Sequence, residues 1–536
     1  MGALTTSGQT NGNGGNISAN ATGLLTLNGA IASSGGANAA ATTQAGKNAG
    51  TITLSGNGIT SAAAATITAN GSAGLGTNQA GGNAGLISIT GTGTDAIALN
   101  TGAGITSSTG AATGTGTGGA VGGITLNGPS ITSSGALTTT GAANGNGGNV
   151  SATTISGDLS VGAITTSGGA ALAGTAGRNA GNVTLTSGDA LSTTSTITAN
   201  GSAGNGTNQA GGNGSNITLD AGGTAPLVTI GGNLSALGGN RTGTGTAGSG
   251  GNITIADTLN IGAANRTISS RGGSTGVGAG GNITLGGPIY DDGGVRTVTV
   301  TGGSGTVAVA GGAANATLAN NLDTLVVTAS DGAGKIRVGS VNTVAAQSYN
   351  AGTGGIELNG NVVTLGSAGA DIVTFSDPVT LTGNSSITTA GGSGDDIAIN
   401  QTVNGAFGLT LNAGATGNVS TSVVMGGSTP LSAFSATGAA VTLGQSVTAG
   451  SIFARSTTGN ITLNTGTVLT GTGTGNAIEL AAGGTASRFI NNAGAGALNA
   501  SNVAGRFLAW SQNPANDMRG GLAYDFKQYN ATYGVT

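Results

Sequence analysis

Residues 250 to 285 read GGNITIADTLNIGAANRTISSRGGSTGVGAGGNITL. The stretch holds GNITI (251–255), an isolated apolar Ile261, ISSRG from Ile268, a Gly-rich run, and then GNITL (281–285). On an extended chain, residues two apart share a face, so the Ile and Leu of GNITL point one way while Asn and Thr point the other. Three short strands and a Gly-rich loop, followed by the same start again, make one unit of a repeat. The remainder of the chain bears this out as a pattern.

Relatives of the motif are GNISA (15–19), GTITL (50–54), GNVSA (148–152), GNVTL (181–185), SNITL (215–219), GGIEL (354–358), FGLTL (407–411) and GNITL (459–463). In the first half they recur every 30 to 37 residues or so, a period that belongs to solenoids, propellers or arrays. About 14 residues after each comes a second landmark, as in IASSG from Ile31, ITANG from Ile67 and Ile197, and ITTSG from Ile164. Weaker apolar patches at Leu99, Leu191 and Ile261 lie between the two. No 3.6-residue apolar stripe occurs, so helices are not expected. Strands this short cannot bury an apolar face alone, whereas stacking each unit on the next builds a continuous core. The reading is all-β: a right-handed parallel β-helix, a solenoid with Gly-rich loops. At about 4.8 Å per coil, some 14 to 18 coils would make a rod of roughly 70 to 85 Å, with the loops its softest parts.

Part of the chain is written twice. TITANGSAGLGTNQAGGN (66–83) returns as TITANGSAGNGTNQAGGN (196–213), with Leu75 replaced by Asn205. LTTSGQTNGNGGNISA (4–19) likewise matches LTTTGAANGNGGNVSA (137–152), and GKNAGTITL (46–54) matches GRNAGNVTL (177–185). A block of about four coils has been duplicated, which a solenoid accepts because each coil touches only its neighbours.

Composition narrows the chemistry. The 536 residues include 112 Gly but only six Pro, with hydrophobics at 37% and net charge −4, so the chain lacks the proline and charge of a disordered one. Cys and His are both absent, which removes disulfides, thiolate chemistry and the commonest general base. Thirteen scattered basic residues do not make the cationic face that nucleic acid requires. No apolar run is long enough to span a bilayer as a helix. MGALTTSGQTNGNGGN has neither the basic start nor the apolar core of a secretory signal. The chain thus opens in mid-pattern, as expected of a segment whose export signal lies upstream or of a truncated reading frame.

Three zones follow from texture. Residues 1–289 contain no aromatic residue and have long Gly/Asn/Thr-rich loops; residues 290–500 continue the β-helix with shorter loops; residues 501–536 form a C-terminal cap and the start of a linker. Six of the thirteen aromatics (Trp 1, Tyr 5, Phe 7) sit in this tail: Phe507, Trp510, Tyr524, Phe526, Tyr529 and Tyr533. A solenoid end exposes apolar interior and strand edge, and large rings suit its closure. The GRFLAW strand, NPAND turn, GGLAYDF and KQYNATYG of this tail closely resemble the segment that ends the β-helix of bacterial filamentous haemagglutinin-like exoproteins. The GGNITL coils are similar to that family's haemagglutinin repeats. The resemblance implies a secreted, surface-held adhesin, exported by a partner outer-membrane transporter (two-partner secretion) or as an autotransporter passenger.

Sites are few. Asp395 and Asp396 in GGSGDDIAIN (392 onward) form the best catalytic candidate, since paired carboxylates can cleave glycosidic bonds. Adjacent strand residues face opposite sides, however, and a turn before IAIN explains the pair, as a turn explains YDDGG (290–294). The chain is read as no enzyme and as needing no cofactor. Acidic residues are not phased as a calcium array requires, and the many GxG patterns precede no helix that could receive a phosphate. Asn16, Asn149, Asn182, Asn252, Asn282 and Asn460 occupy one place in the coil motif and are expected to stack as hydrogen-bonded rows rather than serve as glycan acceptors. The expected function is attachment to glycans or proteins of host or neighbouring cells through a repetitive polar surface, outside the cell and without nucleic acid. Two alternatives are a polysaccharide-cleaving β-helix and an ice-binding solenoid, the latter suggested by TIT at 51–53, 66–68 and 196–198. Unequal coils are expected to spoil the regular Thr array that ice requires.

Overall fold

The computed structural model describes residues 1–40, 43–62, 65–100, 102, 104–273, 278–310, 322–366, 371–528 and 533. It is all-β, and the paired strands run parallel, as a parallel β-helix demands. Among the described residues the helical piece is the short 3-10 turn Pro514–Asn516. Contacts divide the chain into two compact units. The first comprises Met1–Asp292, Val298–Val307 and Ala329–Gly334, and the second Gly293–Thr297, Ala308–Thr328 and Lys335–Thr536.

In the first unit each coil contributes a strand to each of three sheets, as residues 253–285 illustrate. Ile253–Ile255 belongs to one sheet, Thr258–Asn260 to a second and Arg266–Ser269 to a third, before Ile283–Leu285 returns to the first. Alternation decides which side chains go in: Ile253 and Ile255 are both fully buried and Thr254 between them is not. Successive coils set Ile on Ile, as in Ile17 to Ile52, Ile52 to Ile87 and Ile87 to Ile124. Each such side chain contributes about 1.5 to 3 kcal/mol by leaving water, and these columns form the core.

The Gly-rich segments of the first unit are not open loops. They are built as closed hairpins tied into the stack. At the neck, the Gly before the motif's Asn donates to the end of the preceding strand: Gly148 N to Thr139 O at 2.7 Å, Gly181 N to Thr166 O at 2.8 Å and Gly281 N to Ser270 O at 2.8 Å. The same glycines accept from buried hydroxyls, with Thr139 Oγ1 at 2.5 Å, Thr166 Oγ1 at 2.6 Å and Ser270 Oγ at 2.8 Å. Further out, the two legs bond to each other and to adjacent coils. Ser202 N donates to Arg178 O, Gly212 N to Ser202 O and Gly239 N to Gly212 O, at 2.9, 2.9 and 2.7 Å. Backbones pack so closely that a Cβ on Gly212 would lie 2.1 Å from the Arg178 carbonyl oxygen. Glycine is required there by proximity, not by its dihedral freedom.

The duplicated stretch builds one such hairpin. Ser72 N to Lys47 O and Gly82 N to Ser72 O, both 2.9 Å, reproduce the bonds just described for the later copy. At the tips, Asn78 and Asn208 have φ of 55° and 58°, a left-handed conformation that Asn accepts more readily than most residues. The one substitution is conservative in backbone terms. Leu75 forms an antiparallel bridge to Gln44 and Asn205 forms the equivalent bridge to Thr175, neither using its side chain.

Coils of the second unit are shorter. Equivalent positions there lie 20 to 30 residues apart, against 33 to 38 across most of the first unit. One sheet stacks Lys335–Val338, Ile356–Leu358, Val379–Leu381 and Val403–Asn404, and another Ile397–Ile399, Val419–Thr421, Val441–Leu443, Ile461–Leu463 and Phe489–Asn491. A third runs from Val341–Thr343 to Leu431–Gly438 and Val447–Ser456, then through Gly475–Ala482 to Gly505–Ser511. The interior of the second unit includes Tyr349, on the separate strand Gln347–Ala351, stacked on Phe375 at 5.3 Å, with its hydroxyl donating to Gln347 Oε1 at 2.6 Å. Burial pushes the Tyr349 phenol well above its usual range.

Candidate functional site

The outward faces of the first unit carry files of hydroxyls and amides. In the sheet of the GNITL strands the central outward position is Ser18, Thr53, Ser88, Thr125, Ser151, Thr184, Thr218, Thr254 and Thr284, each paired in register with the next. Another sheet presents Thr68, Thr106, Thr138, Thr165 and Thr198 in the same way. Coil lengths differ, yet the files are unbroken. Register holds because the extra residues enter the hairpins and turns, outside the paired strands. What does interrupt a two-column Thr array is composition. The position before the inward Ile or Leu reads Thr66, Gly104, Ala136, Ala163 and Thr196 over the same five coils.

Beside the central file lies the row of asparagines. Asn149 Oδ1 accepts from Asn182 N at 2.8 Å, Asn182 Oδ1 from Asn216 N at 3.0 Å, Asn216 Oδ1 from Asn252 N at 2.9 Å and Asn252 Oδ1 from Asn282 N at 2.8 Å. Asn282 Oδ1 in turn accepts from Thr306 N at 2.9 Å, and Asn16 Oδ1 from Thr51 N at 2.9 Å. In the second unit the half-buried Asn460 accepts from Arg488 N at 3.0 Å. The amide oxygen bonds to the next coil's backbone, so these rows do not link amide to amide as in stacked fibrils. A second row follows the same rule on the hairpins, from Asn146 to Asn179 N at 3.0 Å and from Asn179 to Asn213 N at 2.7 Å. Asn serves here because its short side chain places an acceptor where the strand ladder has not yet begun.

The two aspartates lie between a turn and the strand Ile397–Ile399, and they face opposite ways. Asp395 is fully buried, with Oδ2 accepting from Gly392 N at 2.6 Å and Oδ1 from Asp371 N at 3.4 Å. Asp396 faces outward and accepts from Asn418 N at 2.7 Å. Asp395 therefore braces its own turn, and Asp396 ties its coil to the next. Burial, and after it the Asp395 carboxyl, raises the Asp371 carboxyl above its ordinary range. On the outer surface Glu357 is held below the usual carboxylate range, chiefly by the hydrogen bond from Lys335 and also by Arg337, at 2.5 and 2.7 Å. Among the described residues no three acidic side chains gather as a metal would need.

In the tail, Phe507 is half-buried, Tyr524 and Phe526 are exposed, and Tyr529 lies outside the described residues. Trp510 and Tyr533 meet on the outer face of the last sheet, where sequence reasoning did not place them. The ring of Tyr533 lies 6.0 Å from that of Phe453 and 6.0 Å, edge-on, from Trp510, with the Arg455 guanidinium 5.6 Å from its centre. Trp510 Nε1 donates to Glu479 Oε1 at 3.0 Å. Burial, followed by the Glu479 charge, raises the Tyr533 phenol, and Arg455 opposes this. The strand alternation of IFARS and IELAA was available in sequence; the return of Tyr533 to that face was not.

Neither family models, nor curated proteins, nor solved structures show a match to this chain. Among the described residues no helix is long and apolar enough to cross a membrane.

Proposed function

We propose that the chain is a non-catalytic attachment module of a secreted or cell-surface protein of the filamentous haemagglutinin-like kind, an adhesin that engages glycans or proteins of other cells. The observation that carries this reading is the repetition of neutral hydroxyl and amide groups, in register, on coil after coil of the first unit. Such groups both donate and accept, so each coil offers the same weak contact. Many weak contacts in series give avidity without a deep cleft. The tail's likeness to haemagglutinin-type exoproteins supports the extracellular location and export through an outer-membrane transporter. Purified chain, labelled and applied to epithelial cells, bacterial cells and a glycan array, is expected to be retained well above an inert protein of similar size. Retention no better than that control overturns the proposal.

A second reading, ice binding, draws on the unbroken Thr68 to Thr198 file. The neighbouring column with Gly104, Ala136 and Ala163 weighs against it. Thermal hysteresis at millimolar chain would establish that activity, and its absence would remove it.

A further inference from the structure

The outer face of the last sheet carries a cluster of rings and charged groups that hydroxyl files do not explain. Phe453 and Glu479 stand in one outward column, and Arg455, Ala481 and Trp510 in the next. Ala481 is the small member of this group and leaves a gap between larger neighbours. It is nevertheless only 1% exposed, which the ring of Tyr533, touching the residues around it, accounts for. The Trp510 indole is fixed by its bond to Glu479 on the same face.

We propose that this recess is a subsite for one pyranose ring, with Tyr533 as its resident competitor. A pyranose offers a face of C–H groups suited to aromatic rings and a rim of hydroxyls suited to a few polar partners, the usual composition of a small-molecule site. Phe453 and Trp510 supply the faces, and Arg455 supplies the polar partner; both oxygens of Glu479 are engaged, one by Trp510 Nε1 and the other by Asn476 Nδ2 at 3.5 Å. Tyr533, a six-membered ring with one hydroxyl, already occupies this space. The proposal rests on the attachment reading and names the ligand class for one place on its surface. A competitor in the same chain lowers the apparent affinity by the fraction of time the recess is open.

Trp510 is the single tryptophan, so its emission reports on the recess directly. The full chain is titrated with cellotetraose, chitotriose and mannotriose. A saturable change in emission is expected with one of them, tightened at least about threefold in Tyr533→Ala because the competitor is gone. Phe453→Ala is expected to weaken it at least about tenfold, while Tyr524→Ala, outside the recess, leaves it unchanged; far-ultraviolet dichroism confirms that each variant is folded. No saturable change in either the full chain or Tyr533→Ala overturns the subsite, as does a response to N-acetyltyrosine amide alone. If cells retain the chain while the recess is silent, the subsite fails and attachment stands. If saccharide saturates the recess while cells do not retain the chain, attachment fails and the subsite stands.

Discussion

Gly212→Ala tests whether the Gly-rich segments are packed structure or slack loop. Gly212 is buried, and its φ lies outside the left-handed region, so alanine's own backbone preferences do not oppose the change. In an open loop the substitution would stabilise by about 0.4 to 1 kcal/mol through the unfolded chain's lost freedom. Here the new Cβ meets Arg178 O at 2.1 Å, and contacts below 3.0 Å essentially do not occur, so the legs must part by the difference, 0.9 Å. Hydrogen bonds of 2.9 Å between Ser202 N and Arg178 O, and between Gly212 N and Ser202 O, then stretch beyond useful range. Two lost bonds at about 1 kcal/mol each, with overpacking of about 1 to 3, outweigh the entropic gain and leave a loss of about 2 to 4 kcal/mol. Gly23→Ala is the matched control, because nothing lies within 4 Å of its Cβ position. Native-state hydrogen exchange reads the effect locally, which matters because coils can open without global unfolding. Amides of Ser202, Gly212 and Gly239 should lose protection by a factor of about 30 to 1000, while Gly23→Ala leaves them unchanged. Equal or greater protection in Gly212→Ala would refute the packed-hairpin account.

Two further outcomes follow from buried polar groups. Thr193 is 2% exposed and its hydroxyl has no hydrogen-bond partner, so Thr193→Val should raise stability by about 1 to 2 kcal/mol in urea denaturation; a loss would mean the hydroxyl is bonded. Asp371, with its folded pKa raised by burial and by Asp395, favours the protonated form, so its contribution is complete at acid pH and is lost as pH rises above the ordinary carboxylate range near about 4. Asp371→Asn should therefore stabilise the second unit at pH 7 and lose that advantage near pH 3, as followed by thermal melts; a gain independent of pH would be incompatible with this sign.

What the sequence determined by itself was the repeat and the direction of its side chains. Ile253 and Ile255 inward with Thr254 outward follows from a two-residue period, and the Asn of each GNITL from its fixed place beside that strand, because both are local consequences of extended backbone. Tertiary structure alone decided the state of the glycines. Gly212 and Gly23 are the same letter, and only the distance to Arg178, 34 residues earlier and one coil away, distinguishes a packed position from an open one. It also decided that register survives unequal coils, since strand pairing holds Thr68 against Thr106 and lets turns absorb the remainder. The meeting of Tyr533 with Phe453 and Trp510 joins residues up to 80 positions apart (533 against 453), a contact set by how the last coils stack and invisible to any local pattern.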